Sequence, residues 1–219
     1  MIIYFLSSNP FKLKEVQNIL SSPQITIHPI DHKINEIQSS DMKEIVIDKA
    51  LKAFQQIGRP LLVEQTGLLI KNFGNLPGGL TQIFWDSLKA EAFSKIFANI
   101  GDAEVTAKTV IAYCDGKHVY TFDGEIKGHI VYPPRGNQDF QWDCIFEPLG
   151  YTKTFAELGE EKNKISMRKL ALEKLKKYWL NHKFCGISDS SRSSVGSYRI
   201  ASERNIRHQD IRIPVCEES

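Results

Sequence analysis

Residues 140–168 read FQWDCIFEPLGYTKTFAELGEEKNKISMR, a segment dense in side chains that do chemistry. Phe140 and Trp142 lead into Asp143, and Lys162, Ser166 and Arg168 follow at the start of a helical pattern. A flat heterocycle needs an aromatic face to stack on and a polar group for its edge, whereas a polyphosphate needs fixed cations. One segment offers both, which predicts a nucleotide site. The second informative feature is a missing charge. In EQTGL, residues 64–68, the amide of Gln65 lies between Glu64 and Thr66, where a metal-dependent phosphate enzyme is expected to carry a carboxylate.

Further candidates lie upstream. Ser7, Ser8, Asn9 and Pro10 follow the apolar run Ile2–Leu6 and precede helical spacing at Leu13, Val16 and Leu20. A strand, a turn and a helix start in that order aim backbone N–H groups at phosphate, with Lys12 beside them. Lys49 and Glu36 count only in company, since a lone lysine is ordinarily solvated and a lone loop glutamate ordinarily exposed. Phe140 and Trp142 alone would more often be core aromatics than a base platform. Arg168 gains nothing from the dipole of a helix it opens, which favours an anionic partner. The six histidines show no metal-ligand spacing. Cys114, Cys144, Cys185 and Cys216 form no CxxC pair, so free thiols in a reducing cytoplasm are expected.

These residues need a scaffold. Apolar runs predict strands at 2–6 and 25–30, and the spacing from 12 to 20 predicts a helix. Asp41 to Glu44 resembles a capping box and opens a helix to about residue 54. Residues 61–64 and 68–70 read as strands around a Gln-Thr-Gly break, and 86–100 as a helix. Asp115-Gly116 predicts a hairpin joining 105–114 to 117–122, with a third strand at 125–131 and a helix at 164–180. Strand–helix units, a meander and a helix make a mixed α/β fold around one extended sheet. Residues 1–181 are expected to form the nucleotide-binding domain. Residues 182–219, with a serine-rich connector at 188–197, read as an extension that could dock a partner.

Bulk properties set limits. A chain of 219 residues can bury one generous core. Its 42% hydrophobic and 25% charged residues suit a soluble globular protein. A net charge of +2 gives no reason to expect bulk nucleic acid or an anionic membrane as partner, so phosphate binding has to come from a local cluster. No apolar run approaches a membrane span, and residues 1–6 lack the basic region and length of a secretory signal. A cytoplasmic location is expected.

Taken in order, the motifs resemble the inosine triphosphate pyrophosphatase (ITPase) family. SSNPFKLKEV is similar to that family's TGNxxKLxEV, and EQTGL with the following LPGG is similar to EDSGL or EDTxL and a Gly/Pro loop. PRGNQDFQWDCIFEPLGYTKTFAEL is similar to PRGxxxFGWDPxFxPxGYxxTFAEM, and EEKNKISMR to EEKNxISHR. The resemblance spans nearly all of residues 1–180. It implies an elongated mixed sheet with flanking helices, two lobes around a central nucleotide cleft, and usually a homodimer. It also implies Mg2+-assisted attack of water on ITP, dITP or XTP, giving the monophosphate and pyrophosphate. Through it, Ser7, Asn9, Lys12 and Lys49 are assigned to phosphate, and Phe140, Trp142 and Asp143 to the base. Thr66, Lys162, Ser166, Met167 and Arg168 are assigned to the remaining substrate contacts, and Glu36 and Glu64 to acidic positions near the metal.

Three departures matter. Gln65 stands where the family carries an aspartate, Met167 where it carries the histidine of SHR, and Cys144 where it carries a proline. A neutral amide cannot act as general base and holds Mg2+ poorly. A retained pocket, a lost carboxylate and an added tail fit a catalytically impaired sensor subunit. Its tail would then control an effector protein, for instance one that consumes NAD in bacterial defence. The alternative is a working pyrophosphohydrolase with an altered metal shell.

Overall fold

The computed structural model describes residues 1–98 and 104–182, together with the backbone of two short strands at 198–201 and 210–211. The chain opens with β1 (Ile2–Leu6), α1 (Pro10–Leu20), β2 (Thr26–Ile30), α2 (Met42–Ile57) and β3 (Leu61–Ile70). It continues through β4 (Leu76–Pro77), α3 (Thr81–Ala98), β5 (Val105–Cys114), β6 (His118–Ile130) and β7 (Phe146–Pro148). Two single-turn helices, α4 (Phe155–Leu158) and α5 (Lys162–Ile165), lead into α6 (Met167–Asn181), and β8 (Tyr198–Ala201) and β9 (Asp210–Ile211) come last. All the described strands join one mixed sheet in the order β2-β1-β3-β5-β6-β8-β9, with β4 paired to β3 and β7 to β6. The expected mixed α/β architecture is thus the observed one.

The period of two along a strand decides what each face meets. Leu62, Ile111 and Tyr113 point towards α1 and α6, where Val16, Leu20, Leu172 and Leu175 cover them. Leu61, Val63, Val110 and Ala112 point the other way, onto Val46, Ala50 and Ala53 of α2. At the far end of the sheet, Leu68, Ile70, Val105 and Ala107 pack with Phe93, Phe97, Trp142, Phe146 and Phe155. By the same alternation Glu64 shares the face of Leu62, and Gln65 that of Val63. Neighbours in sequence therefore serve opposite sides.

Two expected interruptions are absent. β3 runs unbroken through Gln65, Thr66 and Gly67, paired with β5 from Leu61↔Cys114 to Ile70↔Val105. β6 likewise continues through Gly124, so the separate strand expected at 125–131 is the second half of one long strand. Both glycines permit close approach. A Cβ at Gly67 would lie 2.2 Å from the Gly78 carbonyl oxygen, and one at Gly124 would lie 2.0 Å from that of Met167.

Helix ends also differ from expectation for local reasons. The helix expected from 164 divides at Ser166, whose side chain accepts from Lys169 N–H and restarts the chain as α6. Asp41 caps α2 by accepting from Lys43 N–H, but Glu44 accepts from Ser39 Oγ at 2.7 Å instead of closing a reciprocal box. α3 begins at Thr81, earlier than expected, and carries a non-helical Lys89. Residues 99 and 100, the connector at 188–197, Cys185 and Cys216 fall outside the described residues; Cys114 and Cys144 are buried free thiols. The first strand of the extension, β8, pairs in parallel with the start of β6.

Candidate functional site

The site starts from a turn. Ser7 Oγ accepts from Asn9 N–H at 3.2 Å, and Asn9 Oδ1 accepts from the N–H groups of Phe11 and Lys12 at 3.0 and 3.2 Å. Ser7 and Asn9 thereby fix where α1 begins. Lys12 and Glu15, three residues apart and so on one helix face, are carried inward. There they meet Glu64 from β3 and Arg168 from the first turn of α6.

Arg168 is 2% exposed and fully engaged. Its Nε and Nη2 donate to the two Glu64 oxygens at 2.7 and 3.1 Å, and its Nη1 donates to Glu15 Oε2 at 2.6 Å. Lys12 Nζ lies 2.8 Å from Glu64 Oε1. Ser166 Oγ donates to Glu15 Oε1 at 2.5 Å, so the cap of α6 is also part of the charged group. A second buried pair stands alongside, in which Lys162 Nζ donates to Asp143. That ammonium lies 4.3 Å from the centroid of the Phe140 ring, a cation–π contact. Glu15, Glu64 and Asp143 thus balance Lys12, Lys162 and Arg168.

Burial works against each of these charges, and partners decide the outcome. For Glu64 burial raises the pKa, but Arg168 and then Lys12 outweigh it and hold the carboxyl far below the ordinary carboxylate range. Burial would lower Arg168, yet Glu64 and Glu15 keep its guanidinium firmly charged. In the other pair burial wins, pushing the Asp143 carboxyl up and the Lys162 ammonium down despite their mutual attraction. Removing so many charges from water does little for stability. Perturbed groups in a cleft are instead the physical mark of a functional site.

A cleft is present. A cavity of about 550 Å³ opens beside the group, with Phe11, Glu15, Phe140, Asp143, Lys162 and Arg168 in its wall. Its size suits a small-molecule site. Trp142 is 2% exposed and packs on Phe146 and Phe155, supporting the wall from within the core. Met167 is buried in the same apolar cluster. Thr66 Oγ1 bonds to Thr109 Oγ1 at 2.8 Å, in the middle of the sheet. On the α2 side, Lys49 Nζ lies 2.6 Å from Glu36 Oε1, and Gln65 Nε2 donates to the Gly79 carbonyl at 3.1 Å.

Glu15 and Phe11 are the residues that motif reasoning passed over. Glu15 had a signal, a charge beside Val16 on the inward stripe of α1. Phe11 is a large aromatic outside that stripe, at a helix start where nothing in the pattern asks for one.

The protein's own donors do not fit a resident Mg2+. Glu64 spends both oxygens on Arg168 and Lys12, Glu36 faces Lys49, and position 65 supplies an amide. Among the described residues, no three His, Cys, Asp or Glu side chains converge as a metal cage. No helix among them is long and apolar enough to cross a membrane.

The model of the Ham1 family matches residues 3–178. The chain is 42% identical over 181 residues to an inosine triphosphate pyrophosphatase of Yarrowia lipolytica, covering 80% of this chain and 94% of that protein. It is 38% identical over 182 residues to a dITP/XTP pyrophosphatase of Ignicoccus hospitalis, covering 80% and 95%. Among solved structures, a HAM1 protein from Coxiella burnetii superposes with a TM-score of 0.68 at 29% identity, over 83% of this chain and 99% of that one.

Proposed function

The chain belongs to the Ham1 family, and from that premise we propose that it takes a purine nucleoside triphosphate of the ITP, dITP or XTP type into the cavity beside α1 and cleaves it to the monophosphate and pyrophosphate. The observation that carries this reading is the charge-balanced group of six side chains, four of which, Glu15, Asp143, Lys162 and Arg168, stand in the wall of an aromatic-lined cavity.

The chemistry follows from the donors present. The purine stacks on Phe140, while Lys162 donates to the 6-oxo group and Asp143 accepts from the adjacent ring N–H. Adenine presents the opposite polarity at both positions, and each buried polar group left unpaired costs about 1–3 kcal/mol. Lys12 is paired with Glu64 behind Arg168, and triphosphate oxygens that reach it would compete with that carboxylate for its ammonium. Lys49 is likewise paired with a carboxylate, Glu36, on the α2 side. Cations held in a dry site stabilise the charge that develops on phosphate oxygens as the bond breaks.

A second reading rests on Gln65. Its Nε2 donates to the Gly79 carbonyl, a bond no carboxylate can make, and its amide cannot accept a proton from attacking water. This favours a protein that holds the triphosphate and turns it over slowly, as a sensor whose residues 182–219 dock an effector in a hetero-oligomer. Incubation with dITP, with Mg2+ and then with EDTA, separates the two readings. Pyrophosphate release at a rate typical of the relatives supports the first. Tight binding by calorimetry with negligible product supports the second, and no binding removes both.

A further inference from the structure

We propose that Phe11 is the second aromatic face of the base site, closing on the purine from the side opposite Phe140. The inference rests on the nucleotide reading above and adds a residue to it. Phe11 is 65% exposed, against 42–44% for Phe73, Tyr132 and Tyr151. A ring so exposed forgoes the free energy of burial unless something covers it. Its position says what does. Phe11 lines the same cavity as Phe140, and the two rings meet edge to face with centroids 5.8 Å apart at 77°.

The backbone beneath Phe11 is fixed, because its N–H is held by the Asn9 side chain. The side chain above it is mostly exposed and meets only the Phe140 ring among the aromatic contacts of the described residues. One helical turn on, Lys14 Nζ lies 3.7 Å from Glu160, which lines the cavity on the other side. α1 and the opposite wall therefore already touch across the mouth at two points, both through side chains. A planar ligand that parts Phe11 from Phe140 exchanges one edge contact for a stacking face on each side. Stacking of this kind does not distinguish one base from another, since every base has a π-face. Phe11 accordingly sets how tightly a flat ring is held, while Asp143 and Lys162 set which purine it is.

The test compares Phe11→Ala, Phe11→Leu and Phe11→Trp by calorimetry with dITP, dATP and inorganic tripolyphosphate. Phe11→Ala is expected to lose roughly tenfold or more in dITP affinity, the size of one base–aromatic stack. Phe11→Leu, apolar but without a π-face, stays weak, and Phe11→Trp recovers the parent affinity. The ratio of dITP to dATP affinity and the affinity for tripolyphosphate stay at their parent values. Parent-like dITP binding by Phe11→Ala overturns the proposal and leaves the nucleotide reading standing. An equal loss for tripolyphosphate also overturns it, because Phe11 would then be shaping α1. A parent protein that binds tripolyphosphate but not dITP removes the base site itself.

Discussion

Single residues decide whether this cavity reacts or only holds. Replacing Gln65 with Asp exchanges a neutral amide for a carboxylate on the α2 side, facing the Gly79 carbonyl. Pyrophosphate release from dITP is expected to rise by roughly 10²–10⁴ if proton transfer is what the parent lacks. The lost bond to Gly79 costs about 1 kcal/mol, read by urea denaturation. Glu64 carries a different signature. Its folded pKa lies below the ordinary value of 4.5, so its stabilising effect is complete above that pH and fades as pH falls towards the folded value. Glu64→Gln should therefore be less stable than the parent at neutral pH, with the gap narrowing below about pH 4.5 in melts across a pH series. Much of this site was legible from motifs, because Lys12, Asp143, Lys162 and Arg168 stand in runs of unusual composition. The motifs did not reveal that the cations arrive already paired. That depends on Glu15, which reaches Arg168 only after α1 and α6 come together across the face of the sheet.

At the level of elements, hydrophobic period located the main strands and helices, while glycine was misread. Gly67 and Gly124 look like breaks because a sequence records a missing side chain and not the backbone that passes next to it. Gly124 lets β6 lie against the first turn of α6, which carries Arg168. Gly124→Ala is expected to push that turn away, costing about 1–3 kcal/mol. A thermal melt would show the lost stability and calorimetry a weakened dITP affinity. Substitution on an exposed strand position would do neither. Ser166, assigned to substrate by resemblance, uses its hydroxyl to join the cap of α6 to Glu15, tying the start of a helix to a site charge.

For the molecule as a whole, among the described residues every one that lines the cavity or joins its charged group lies before residue 182. A chain ending at His182 should bind dITP as the full chain does, checked by calorimetry on both. Weakened binding in the shorter chain would mean that β8, seated on the start of β6, reaches the site through the sheet. Composition sets residues 182–219 apart but says nothing of the parallel pairing of β8, since that depends on an edge that only the folded sheet presents. The ladders of β3, β5 and β6 carry one further implication. They run without interruption beneath all three core regions, like a beam with no joint, and a sharp fold across them would unpair a row of backbone groups at once. Side chains at the rim, Phe11 and Lys14 among them, can turn on the nanosecond scale of rotamer exchange and admit a ligand without any fold in that beam.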